Sequence, residues 1–129
     1  MTVVVGYTPR PQGRAALRVG IAEARARGED LYVLNVSSGA SLSDPTYATE
    51  EQWAEVVEEL RASGVEHRAE RHVDGRGGAE EVTRAAAEHD ATLVVIGIRH
   101  RTATGKMLFG SDAQRILLDV DCPVLAVKA

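Results

Sequence analysis

The stretch from Gly97 to Ser111 concentrates most of the residues in this 129-residue chain that could do chemistry. It holds Gly97, Gly105 and Gly110, the cations Arg99, Arg101 and Lys106, and His100, with no acidic residue among them. Glycines let a backbone come close to a ligand, and unpaired N–H groups at a helix start attract anions, so phosphate suits this composition. The same residues also read as a helix cap with glycine turns and solvated arginines, and spacing alone does not separate the two. A phosphate loop of the form Gly-x4-Gly-Lys-Ser/Thr is excluded, because Met107 follows Gly105-Lys106 and His100 stands five positions before Gly105. Ser111, His100 and Asp112 supply the residue types of a hydrolase triad, but no strand-nucleophile-helix elbow surrounds Ser111.

Other constellations are weaker. His67 and His72 lie five apart in an expected strand and so face opposite sides, which argues against a shared metal. His89 closes a helical stripe and reads as a half-buried residue at a helix C-terminus, where positive charge is favoured. Cys122, the one cysteine, reads as a small buried hydrophobe, with a redox sensor as the alternative. Trp53 and Tyr47 flank a turn-rich segment and read as core packing.

The elements that must position these residues follow from apolar periodicity. Val3 to Val5, Leu31 to Val36, Leu93 to Ile96 and Val124 to Val127 are continuous apolar runs, as expected of strands covered on both faces. Val65 to Val73 alternates as a strand with one wet side, which belongs at a sheet edge. Between them lie helical stripes: Gln12 to Arg27 with Gly28 as its cap, then Trp53, Val56, Val57 and Leu60 ending at Gly64, then Val82, Ala85, Ala86 and His89. Ser111-Asp112-Ala113-Gln114 has the Ser-x-x-Gln form of a capping box, so a helix should begin with Ser111 as its cap and bury Ala113, Ile116, Leu117 and Val120.

Strand and helix therefore alternate from end to end, which the right-handed crossover rule turns into a doubly wound α/β domain: an open sheet of five parallel strands with helices on both faces. The wet third strand selects the order 3-2-1-4-5. Winding then reverses between strands 1 and 4, and ligands of such sheets bind at the carboxyl ends of the strands beside that reversal. The cleft is expected between the Tyr7-Thr8 loop and the Gly97 loop. The last strand lies at the opposite edge and is apolar, so its unpaired backbone groups should recruit Val124 to Val127 of a second copy, giving a homodimer.

Composition limits the partners. Hydrophobic residues make up 44% and charged residues 26% of the chain, the balance of a globular domain. Net charge is −4, and the Gly97 to Ser111 stretch takes three of the 15 basic residues and none of the 19 acidic ones. An acidic body with one cationic island should repel nucleic acid and anionic membranes. A single cysteine, no apolar run of about 18 residues and an N-terminus without signal-peptide features point to a cytoplasmic protein.

Several stretches carry a resemblance. Val94-Val95-Ile96-Gly97-Ile98-Arg99-His100, Gly105-Lys106-Met107-Leu108-Phe109-Gly110-Ser111, Ala113-Gln114-Arg115-Ile116-Leu117 and Asp121-Cys122-Pro123-Val124-Leu125-Ala126-Val127 together resemble the C-terminal signature of the universal stress protein family. Element order agrees over nearly all of the chain. The resemblance implies a homodimeric cytoplasmic stress-response protein, in a family where some members bind ATP and others do not. The nucleotide-binding members carry Gly-x2-Gly-x9-Gly-Ser/Thr, and here His100 stands at the second glycine while Gly97 and Gly110-Ser111 are kept. Those members also place an aspartate after strand 1, where this chain has Thr8. Carried over by position, the pattern puts triphosphate over Gly97, Gly110, Ser111 and the N–H of Asp112, with Arg99 and His100 beside it. Adenine and ribose fall near Val36 and Thr8, and magnesium would accompany ATP. No catalytic residue is assigned. The alternative is a dimeric interaction module of the same family that has lost the nucleotide, as Thr8 and His100 suggest.

Overall fold

The β-branched run at the N-terminus forms β1 (Thr2–Gly6), and four further strand segments align beside it in the computed structural model: β2 (Asp30–Ser37), β3 (His67–Val73), β4 (Ala91–Ile98) and β5 (Val124–Lys128). The structure describes residues 1–37, 44–73, 76–99 and 110–129. All neighbouring strands are parallel, in the order β3-β2-β1-β4-β5. The expected order is therefore the observed one, with the wet strand at an edge. Winding reverses between β1 and β4, where Val5 pairs with Val95 and Gly6 with Ile96.

Helices α1 (Pro11–Arg27), α2 (Glu50–Ser63), α3 (Gly78–Glu88) and α4 (Ser111–Asp119) complete the alternation. Alternating strand residues divide the core between two faces. Val3, Val5, Val33 and Val95 pack with Leu17 and Ile21 of α1 and Val56 and Leu60 of α2. Val4, Leu34, Val94 and Ile96 pack with Val82 and Ala86 of α3 and Ala113 and Ile116 of α4. Pro11 opens α1, where a missing N–H costs nothing, and Gly28 closes it at φ 66°. Among the described residues, no helix is long and apolar enough to cross a membrane.

Three expectations are corrected. Ser111 is the first residue inside α4 and not its cap; Gly110 holds the cap position, and no side chain caps the helix. The capping box is instead at α2, where the Thr49 hydroxyl accepts from Gln52 N at 3.1 Å and Thr49 N donates to Gln52 Oε1 at 2.8 Å. Leu117 and Val57 are exposed, because each helix buries only a narrow stripe: Ala113 and Ile116 on α4, Val56 and Leu60 on α2. Cys122 is half-buried rather than buried, and desolvation pushes its thiol above the ordinary range, away from thiolate reactivity.

Candidate functional site

Each strand of a parallel sheet ends at the same side, and each following helix begins there. The starts of α1, α3 and α4 thus gather around the carboxyl ends of β1 and β4. Between them lies a hollow of about 130 Å³, whose lining includes Thr8, Leu34, Val36, Val82, Gly97 and Asp112. A wider hollow of about 420 Å³ shares Thr8, Thr46, Gly97, Asp112 and Ala113 and extends to Arg10, Arg99 and Gly110. The first is walled by Leu34, Val36, Val82 and Ile96 and suits a flat apolar group. The second is walled by two arginines and suits an anion.

Six of the eight residues singled out in the sequence come together here. Thr8, Gly97 and Asp112 line both hollows, Val36 the narrower, and Arg99 and Gly110 the wider. Ser111 is exposed and lines neither. His100 lies outside the described residues, as do Arg101 and Lys106.

Capping separates the helices that border the site from the one that does not. α1 begins after Arg10, α3 after Gly77 and α4 after Gly110, and none has a side-chain cap. Only α2, which packs on the same face of the sheet as α1, is capped by its own side chains. An uncapped helix start leaves N–H donors and a partial positive charge facing outward. The starts of α1 and α4 line the wider hollow and that of α3 the narrower one, an arrangement that favours an anion. At the opposite end of the sheet, a depression of about 400 Å³ is lined by Asp90, Asp119, Asp121 and Cys122, beside the C-termini of α3 and α4. Carboxylates and negative helix ends make it repel phosphate.

The two glycines of the site differ. A Cβ on Gly97 would sit 2.0 Å from the Gln12 carbonyl oxygen, so glycine there is what lets α1 close on β4. At Gly110 nothing among the described residues lies within 4 Å of that point.

The residue that shapes the cleft was missed in the sequence. Asn35 interrupts the buried run of β2 and is fully enclosed. Its amide donates to Tyr7 O at 2.9 Å and Thr46 O at 2.8 Å, and its oxygen accepts from Ala48 N at 2.7 Å. One side chain thereby ties the loop after β1 to the segment before α2. Asp44 secures the same segment, accepting from Thr46 N at 2.9 Å and Thr46 Oγ1 at 2.6 Å; that hydroxyl bond holds its carboxyl below the usual range. Arg71 of β3 donates to Ala48 O at 3.1 Å and lies over the rings of Tyr47 and Trp53. The available signal was a lone amide in an apolar strand, since a buried polar group must find partners.

A doubly wound α/β domain with an apolar slot and a cationic mouth at its switch point is the class these features define. Residues 1–128 match the universal stress protein family, and the chain belongs to it. A universal stress protein of Mycolicibacterium smegmatis is 44% identical over 98% of this chain and 96% of its own length. The solved universal stress protein of Archaeoglobus fulgidus superposes with a TM-score of 0.81 at 31% identity, covering 98% of this chain and 97% of that one. Another from that organism, solved in complex with dAMP, gives 0.74 at 26% identity over 98% and 96%.

Proposed function

We propose that this chain is a small cytoplasmic regulatory protein of the stress response that binds ATP or a related adenine nucleotide at the carboxyl ends of β1 and β4, without robust catalysis, and acts as a homodimer. The observation that carries the reading is the hollow that Arg10 and Arg99 line together with the starts of α1 and α4, two helices without side-chain caps, next to a narrower hollow at the equally uncapped start of α3. Phosphate would lie against Arg99, Gly110 and the N–H groups of Ser111 and Asp112, and the base between Val36 and Val82, with Thr8 near the ribose. The dAMP held by the Archaeoglobus relative supports an adenine base in the apolar slot. Among the described residues no group of three or more His, Cys, Asp or Glu is placed to hold a metal. Magnesium would accompany the phosphates of ATP, and Asp112, which lines both hollows, would be a carboxylate beside it.

One observation favours a second reading, a dimeric interaction module without nucleotide: Gly97 is explained by its contact with Gln12 whether or not a ligand exists. Calorimetry at low salt with ATP, ADP and AMP separates the two. ATP should bind the natural protein weakly and AMP more weakly, with affinity rising when Thr8→Asp and His100→Gly restore the family pattern. No heat from the natural protein at millimolar ATP, with recovery only in the double substitution, would promote the interaction module.

A further inference from the structure

We propose that Arg10 is a phosphate-binding residue of this cleft, paired with Arg99, and that the two guanidinium groups select ligands with a longer phosphate chain. The inference rests on the nucleotide reading above and deepens it. Arg10 occupies the cap position of α1, at φ −108° and ψ 165°, where serine, threonine, aspartate or asparagine is preferred. A guanidinium has five donors and no acceptor, so it cannot take up a helix N–H. Its charge also sits at the positive end of the helix dipole, where a cation is unfavourable. The position thus breaks two local rules, and such departures concentrate at functional sites.

No contact with the described residues offsets them. Arg10 is half-buried, yet its guanidinium makes no hydrogen bond or ion pair with the described residues. Several other arginines are tied down: Arg14 to Pro9 O at 3.1 Å, Arg25 to Ser63 O at 2.7 Å, Arg71 to Ala48 O at 3.1 Å, Arg115 to Glu80 at 3.2 Å. Arg99 is likewise untied and lines the same hollow of about 420 Å³. Arg18 and Arg68 make no hydrogen bond or ion pair with the described residues either, but neither lines that hollow.

Asp112, the one acid among the described residues of that hollow, does not balance the pair. Asp112 turns toward the start of α3, its Oδ2 3.3 Å from where a Cβ on Gly78 would stand. Among the described residues neither guanidinium of the hollow has a partner, and the planar fork of each matches phosphate oxygens by paired N–H donors. A base seated by Val36 sends its phosphates past Thr8 toward them. A monophosphate meets this charge with one group, and a triphosphate with three.

Calorimetry on the natural protein, Arg10→Ser and the control Arg18→Ala, with ATP, AMP and inorganic tripolyphosphate, tests the assignment. Arg10→Ser should lose about tenfold in affinity for ATP and tripolyphosphate, as expected for a half-buried charge-assisted contact, and less for AMP. Its salt dependence should flatten, Arg10→Lys should recover part of the loss, and Arg18→Ala should match the natural protein. Without ligand, Arg10→Ser should melt about 3 °C higher, because serine supplies a cap and removes the misplaced cation. Weaker binding joined to higher stability is a combination that a structural role for Arg10 does not produce. Equal ATP affinity in Arg10→Ser overturns the assignment and leaves the nucleotide reading intact. Arg10-dependent tripolyphosphate binding without any nucleotide binding does the reverse. Binding of neither ligand by the natural protein overturns both.

Discussion

Gly97 and Gly110 flank the same cationic segment, but a side chain at Gly97 would run into the Gln12 carbonyl at 2.0 Å, whereas Gly110 faces no described atom within 4 Å. Gly97→Ala should therefore force α1 off β4 and lower the unfolding free energy by about 1–3 kcal/mol, read from urea denaturation with or without nucleotide. Gly110→Val should do the opposite. Its backbone at φ −63° and ψ 155° accepts valine, so stability should fall by no more than about 1 kcal/mol, the cost of valine at a helix cap, while the branched side chain obstructs an approaching phosphate. A Gly110→Val protein that bound ATP as well as the natural one would remove Gly110 from the site. Ser111 changes meaning in the same way. As the first residue inside α4 it has no cap to lose, and Ser111→Ala should leave stability within about 0.5 kcal/mol, so that any loss of binding belongs to the ligand.

At the scale of elements, the Ser/Thr-x-x-Gln pattern occurs at both Thr49 and Ser111, and only the first forms a capping box. Thr49→Ala should cost about 0.5–2 kcal/mol by chemical denaturation. The difference was not legible in the four residues themselves. It depends on where the preceding chain is held: Asn35 and Arg71 fix Ala48, and so deliver Thr49 to its helix. Both ties come from distant strands, and their geometry follows from the β2-β3 register, in which Asn35 lies beside Arg71. Strand order, by contrast, was legible, because Arg68, Glu70 and His72 leave β3 nothing to bury on one face and so send it to an edge. That face carries a titratable pair. Tyr32 donates to Glu70 at 2.7 Å, and burial first, then this bond, raise the phenol above its ordinary value of 10.0. A raised folded-state value means the stabilisation is complete below about pH 10 and is lost as pH rises beyond it. Tyr32→Phe should cost about 1 kcal/mol near neutrality but fall less steeply in alkali, as followed by denaturation between neutral and strongly alkaline pH. Tyr7 is raised by burial as well, so the slope should flatten rather than vanish.

The two edges of the sheet are not equivalent, and the proposed homodimer follows from that asymmetry. β3 presents Arg68, Glu70, Arg71 and His72, charges of the kind that keep an edge from pairing. β5 presents Val124, Leu125, Ala126 and Val127, all half-buried, with Lys128 only at its end. Leu118, on the helix leading into β5, is 83% exposed, and Leu117 beside it is exposed as well. Pro123 O accepts from Val94 N, and Ala129 N donates to Ile98 O, so the odd-numbered residues of β5 serve β4 and the even-numbered ones turn their backbone groups outward. A second copy related by a two-fold axis would satisfy Val124 and Ala126 and cover the apolar flank at once. Sedimentation at micromolar concentration should show a dimer. Ala126→Pro removes an outward N–H without touching the ladder to β4, an edge position where proline is tolerated, so it should give a folded monomer by circular dichroism and sedimentation. Leu118→Lys should weaken the dimer by placing charge beside the same flank. A natural protein that sedimented only as monomer, or an Ala126→Pro variant that remained fully dimeric, would assign the bare edge of β5 to some other partner.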